Sequence, residues 1–186
     1  MNLNPMFSRT LALVAPVSAL TLTHAGAAAV DYFLKIDGIK GESVDDKHKD
    51  EIDILSFSWG VTNTPVAGGG GAGKATFKEF TVTKKTDTSS PKMMLACATG
   101  QRIPTVNFVV RRNPEPGVPE APQEFYFITL ENVLVSSYSS SGSPAGELPT
   151  ESLSLNFTKI TYEYRPQRDE AVVVTFDTRT DPTGNP

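Results

Sequence analysis

IDILSFSWGVT, residues 52–62, decides how the rest of the chain is read. It has the two-residue period of a β-strand and is rich in β-branched and aromatic side chains. Successive side chains of a strand point to opposite faces, so strict alternation puts Leu55, Phe57 and Trp59 on one side and Ile52, Ile54, Ser56 and Ser58 on the other. The first side is expected to be aromatic core. The second ends in two small hydroxyls, which suits a wall facing water or a cavity. Working outward, the same pattern returns in short runs broken by Gly, Pro, Asn and Ser. The segments are Tyr32 to Ile36, Ile52 to Thr62, Ala75 to Lys84, Thr105 to Arg112, Glu124 to Tyr138, Leu153 to Arg165 and Ala171 to Thr178. Seven strands predict an all-β domain, either a sandwich or a closed barrel.

Two details refine this expectation. Leu153, Leu155 and Phe157 alternate in one phase and Ile160, Tyr162 and Tyr164 in the other. A β-bulge, one extra residue near Thr158 and Lys159, would shift the phase and bend the strand as barrel closure requires. One short helix interrupts the strands: Ser89 or Ser90 is placed to cap its start, Pro91 suits the first turn, and Gly100 suits a left-handed stop. Met94, Leu95 and Ala98 are then expected to share the face that covers the barrel.

With 186 residues the chain has room for one domain and its termini, and 39% hydrophobic with 20% charged residues is ordinary for a packed protein. A net charge of -4 gives no long-range attraction to nucleic acid or anionic membranes. With Cys97 alone no internal disulfide forms, and one thiol with two histidines hardly supplies a zinc site, so no metal or other cofactor is expected. Residues 1–29 hold Arg9, an apolar run from Leu11 to Leu22, and small residues at Ala25 to Ala29. That order reads as a cleaved secretory signal ahead of a domain at 30–186, and implies a secreted protein, extracellular or periplasmic, with no membrane contact after cleavage. The alternative is a translated upstream stretch, should Val30 be read from a non-standard start codon.

Several motifs invite chemistry. GGGGAGK, residues 68–74, has the glycine and lysine spacing of a P-loop, but Ala75 stands where a magnesium-binding hydroxyl is needed and a strand follows in place of a helix. A flexible loop is the expected role. DDKHKDEID, residues 45–53, gathers five carboxylates around His48 without a second histidine, and reads as a solvated loop. No serine sits in a G-x-S-x-G elbow, so no Ser-His-Asp site is assigned and no enzymatic activity is expected. Cys97 reads as a small core residue. Asn156 begins a glycosylation triplet inside a strand and is set aside. NPEPGVPEAP, residues 113–122, reads as a stiff hairpin connection.

Residues 31–60, DYFLKIDGIKGESVDDKHKDEIDILSFSWG, closely resemble the opening of Hcp proteins of bacterial type VI secretion systems. Four further blocks agree in order: GGGGAGK (68–74), SSPKMMLACATG (89–100), FITLENVLVSSYS (127–139) and LPTESLSLNFTKITYEYRPQ (148–167). The resemblance implies a compact two-sheet β-barrel with a flanking helix. It further implies self-association into hexameric rings that stack into a tube, effector proteins carried in the lumen, and sheath and spike proteins as further partners. The family position matching Ser58 lines the lumen; Ser56 joins it by strand alternation. The family is held in the cytoplasm before type VI export, usually without a signal peptide, and usually ends in a GWN-type strand. This chain has the segment 1–29 and, at its end, Phe176 in the tryptophan position with Arg179 matching. A secreted binding module that keeps the barrel without tube assembly is the competing expectation.

Overall fold

A computed structural model describes residues 29–64, 73–114, 119–144, 148–167 and 169–179. The elements are β1 (Val30–Ile36), β2 (Ile52–Asn63), β3 (Ala75–Lys85), α1 (Ser90–Thr99), β4 (Arg102–Arg112), β5 (Gln123–Ser141), β6 (Thr150–Asn156), β7 (Lys159–Tyr164) and β8 (Val172–Asp177). All strand pairings are antiparallel, in the order β4-β1-β2-β3-β6-β5-β7-β8, and β4 pairs in addition with β5. The first six strands therefore close a hydrogen-bonded cycle, and β7 and β8 continue the sheet beyond it. Closure is narrow between β1 and β2, where only Phe33 with Asp53 and Leu34 with Ile52 pair, and β2 beyond Asp53 is paired on its β3 side. The expected all-β barrel with one helix is thus the observed fold.

The core lies between the facing walls of this sheet. Phe57 of β2, Phe80 of β3, Phe108 of β4 and Tyr126 of β5 meet there, with Phe108 centred 4.5 Å from Phe57, 5.2 Å from Phe80 and 6.3 Å from Tyr126. Leu34, Ile52, Val82, Ile128, Leu130, Leu153 and Leu155 fill the space around them. Such edge-on and tilted ring contacts add to the burial of large apolar area. Trp59 donates its indole N–H to the Tyr126 hydroxyl at 2.7 Å, so its polar atom is satisfied at the margin of the core.

The phase of β2 differs from strict alternation. Ile52 and Ile54 are buried, Phe57 and Trp59 half-buried, and Leu55 is 49% exposed beside exposed Ser56 and Ser58. The bulge between Ile54 and Ser56, two steps on β2 against one on β3, causes this. The extra residue reverses the faces, so both isoleucines and both aromatics reach the core from one strand and Leu55 is left outside.

The expected bulge near Thr158 is replaced by a break that separates β6 from β7, giving eight strands in place of seven. Leu134 pairs with Asn156 and Glu131 with Lys159, so equal lengths of β5 and of its partner cross the break and no residue is inserted. Both sides change phase together: buried Ile128 and Leu130 give way to Val133 and Val135, as Phe157 gives way to Ile160. Asn132, with φ of 53°, makes the turn on β5 and donates from Nδ2 to Thr158 Oγ1 at 3.3 Å. Asparagine tolerates this left-handed conformation better than most residues.

Helix α1 also sits differently from its sequence expectation. Ser90, Met93 and Ala96 face the barrel, Cys97 is half-buried, and Met94, Leu95 and Ala98 point outward. No serine side chain caps the first turn; Ser89 and Ser90 bind Asp87 instead, and Gly100 ends the helix with φ of 66° as expected. The rotation is set by a polar contact that periodicity does not reveal: Ser90 Oγ donates to Glu151 at 2.8 Å and accepts from Lys84 at 2.9 Å.

The strap between β1 and β2 lies close on the start of β2. Gly41 N–H donates to the Asp50 carbonyl at 2.8 Å, and a Cβ at Gly41 would fall 2.3 Å from the Glu51 carbonyl oxygen. Gly41→Ala is expected to destabilise the fold by about 1–3 kcal/mol, the usual cost of forcing atoms into a packed site. A lowered urea midpoint checks it, and an unchanged midpoint would mean that the strap stands off β2.

Candidate functional site

Ser56 and Ser58 belong to a larger surface. Ser58 pairs with Thr81, Thr81 with Ser154 and Ser154 with Ser137; one step along, Ser56 pairs with Thr83, Thr83 with Ser152 and Ser152 with Ser139. Directly paired residues present their side chains on the same face of a sheet. Two rows of four hydroxyls therefore cross β2, β3, β6 and β5 on the face away from the core. Phe57, Val82, Leu153 and Tyr138 form the opposite row, packed within or against the core. The four serines of β2 and β5 are exposed, and the four hydroxyl residues of β3 and β6 are half-buried between them.

The wall is neutral. Thr81 Oγ1 and Ser154 Oγ lie 3.3 Å apart, and Ser136, displaced by the bulge in β5, donates to the Ser154 carbonyl at 3.0 Å. Charged side chains stand at its margins, with Glu79 before the first row and Lys85 after the second on β3. Hydroxyls both donate and accept, so such a surface hydrogen-bonds to many polar groups and to water without selecting a charge.

Sequence reasoning found two of these eight residues. Residues 80–84 (FTVTK), 152–156 (SLSLN) and 136–140 (SSYSS) carry the signal, hydroxyls alternating with apolar residues. What alternation cannot give is the register that joins them into rows.

The charged residues of the segment around His48 are exposed or half-buried, as a solvated loop should be, while His48 itself is buried. The His48 ring stacks on Phe33 with centroids 3.9 Å apart; its Nδ1 lies 2.9 Å from Glu51 Oε2 and its Nε2 3.5 Å from Glu124 Oε1. His48 departs from the solvated-loop expectation because its ring lies against Phe33, over which Arg111 also sits. Its polar neighbours in the ion pairs and hydrogen bonds are carboxylates and backbone groups. Among the described residues no three of His, Cys, Asp and Glu gather as metal ligands would. Lys74 and Ala75 of the glycine-rich motif lead into strand β3, while 68–72 fall outside the described residues, as do 115–118 of the proline-rich connection.

Arg111, opposite a bulge at Phe125 of β5, is buried despite its charge and binds Asp31 at 2.8 Å and Asp45 at 2.7 Å. The hydrogen bond from Arg111 holds the Asp45 carboxyl down at about 2. A carboxylate lowered in the fold adds stability above the ordinary carboxylate range, and that contribution fades as pH falls toward 2. Asp45→Asn is expected to flatten the loss of stability between about pH 4 and pH 2. Thermal unfolding at several pH values reads this, and an undiminished slope would remove the pair from the acid response.

Comparison with known proteins adds the family. The family profile described as type VI secretion system effector, Hcp, matches residues 33–164. Protein hcp1 of Pseudomonas aeruginosa is 41% identical over 143 residues, covering 75% of this chain and 86% of that protein. Among solved structures, Hcp1 from Salmonella typhimurium superimposes with a TM-score of 0.66 at 32% identity, over 81% of this chain and 96% of its own. A type VI secretion system effector from Yersinia pestis gives 0.65 at 31% identity, over 79% and 99%. A curled antiparallel barrel with these relatives is a component of the bacterial type VI secretion machinery. The chain belongs to the Hcp family, the secreted tube and effector proteins of that system. No helix among the described residues is long and apolar enough to cross a membrane.

Proposed function

We propose that six copies of this chain close into a ring, that rings stack into the inner tube of a type VI secretion system, and that effector proteins travel in the lumen. The eight-hydroxyl wall, with Ser56 and Ser58 at one side, is the observation that carries this reading. A broad, neutral, hydrogen-bonding surface on a barrel's outer face suits a channel lining that must hold varied polar cargo and release it. Charged groups confined to its margins keep the passage free of strong ion pairs. The sheath and the spike are the partners outside and at the end of such a tube. No catalytic step belongs to this role.

Residues 1–28 lie outside the described residues. We assign 1–29 as an export signal, on the order of its charge, apolar run and small residues. Amino-terminal sequencing of protein from the culture medium should find a start at Ala28 to Val30; an intact Met1 there would refute cleavage.

The cargo reading is tested by Ser58→Trp, which adds bulk to an exposed position. Ring mass by native mass spectrometry should stay the same while retention of a co-expressed effector falls about tenfold, equivalent to about 1.4 kcal/mol of binding. Retention unchanged in intact rings would show that the wall does not face the cargo.

A further inference from the structure

The assigned export signal ends where the barrel begins. Val30 is the first residue of β1, and β1 pairs with β4 over its whole length, from Val30 with Arg112 to Ile36 with Val106. One residue further back, the Ala29 carbonyl accepts from the Asn113 backbone N–H at 2.9 Å. The pairing thus reaches across the Ala29–Val30 bond. That bond follows Ala27 and Ala29, small residues at the spacing a signal peptidase reads.

Side chains hold the same junction. Asp31 accepts from buried Arg111 and from Asn113 Nδ2, both at 2.8 Å. Asn113 therefore grips the chain on both sides of Val30, its backbone bonded to Ala29 and its side chain to Asp31. Arg111 is itself anchored through Asp45 at 2.7 Å, so the start of β1 is tied to the strap as well as to β4. Chain ends ordinarily fray at little cost. Two hydrogen bonds to one carboxylate, which are stronger than neutral ones, oppose that here.

Hydrolysis of Ala29–Val30 adds one water across the bond and leaves a carboxylate on Ala29 and an amine on Val30. The attack passes through a tetrahedral centre at the Ala29 carbonyl carbon, whose oxygen takes up negative charge and must be met by donors of the peptidase. In the folded chain that oxygen is already bonded to Asn113. Ala29 as a residue is exposed, but its reacting oxygen is turned to β4. A peptidase has to lift Ala29 to Asp31 off β4 first.

We propose that the export segment is cut at Ala29–Val30 only before β1 closes on β4, so that folding sets the time limit for its removal. It rests on the export-signal reading. A chain that folds first keeps its leader. A chain cut in time begins at Val30 and then closes the clamp on Asp31.

The full-length precursor, dissolved in urea, is diluted into signal peptidase either at once or after refolding, and the products are read by intact mass and amino-terminal sequencing. The unfolded chain should give a Val30 start at least about tenfold faster than the refolded one, since cleavage of a folded segment is limited to the fraction that is open. Refolded Asp31→Ala precursor, in which Arg111 keeps Asp45, should be cut at an intermediate rate. Equal rates for folded and unfolded wild type, or removal from the folded chain by a cut after Ala27, would overturn the proposal and leave the signal standing. A refolded Asp31→Ala precursor as resistant as the wild type would overturn the clamp that the proposal needs. No cut in any sample would overturn the export-signal reading as well.

Discussion

Glu151→Ala is expected to cost about 3–5 kcal/mol of folding stability, the effect of removing the buried one of the two carboxylates that pair with Lys84. Lys84 and Glu151 are 0% and 1% exposed and 2.9 Å apart. Glu151 also accepts from Ser90, Thr86 and Tyr138, at 2.8, 2.9 and 2.9 Å, while Lys84 holds Asp87 and the Lys85 carbonyl at 2.8 Å each. Burial pushes the Glu151 carboxyl up, but the bonds from Lys84, Ser90, Tyr138 and Thr86 outweigh it and hold the group below its ordinary value. Its contribution is therefore complete above the ordinary glutamate range and is lost as pH falls through the lowered folded value. Alanine leaves the buried Lys84 charge to Asp87 alone and removes the Ser90–Glu151 bond between α1 and β6. Urea unfolding at neutral pH measures this loss. The paired change Lys84→Met with Glu151→Leu should recover much of it, because well-packed apolar side chains replace buried ion pairs at small cost. A single variant within about 0.5 kcal/mol of the wild type would mean water reaches the pair.

Phe108→Ala should cost a similar amount, about 3–5 kcal/mol, through lost burial and the cavity left behind. Phe108 is 1% exposed and touches rings from β1, β2, β3 and β5, so it joins the two walls of the barrel. Leu55→Ala is the matching control. Leucine and phenylalanine are equally apolar by eye, yet Leu55 lies outside the core, and its replacement should change stability by no more than about 0.5 kcal/mol. The pair of unfolding curves tests the bulge in β2. A costly Leu55→Ala would place that residue in the core and restore strict alternation.

Those two residues show where the sequence is legible and where it stops. Phe108 sits in a strand whose partners pair without interruption around it, and simple alternation of Val106, Phe108 and Val110 identifies the buried face. Leu55 follows the same rule and breaks it, because a bulge is a property of two strands and its signal is absent from one. The break at Thr158 is similar: its phase change is written in Phe157 and Ile160, but the matching turn is made by Asn132, twenty-six residues earlier. Helix α1 was readable as a helix from Pro91 and Gly100, while its rotation depended on Glu151 of a distant strand. Ser56 and Ser58 were legible for a different reason. Ser58 stood out through the family resemblance and Ser56 through alternation with it, although the same alternation put Ile52 and Ile54 on their side, whereas Thr81, Ser154 and Ser137 join them only through register.

Electron cryomicroscopy of the purified mature protein addresses the wall directly. Closed six-fold rings should be seen, with the side chains of Ser58, Thr81, Ser154 and Ser137 bordering the central hole. Rings that carry this row on their outer rim, or particles that stay single at every concentration, would contradict it.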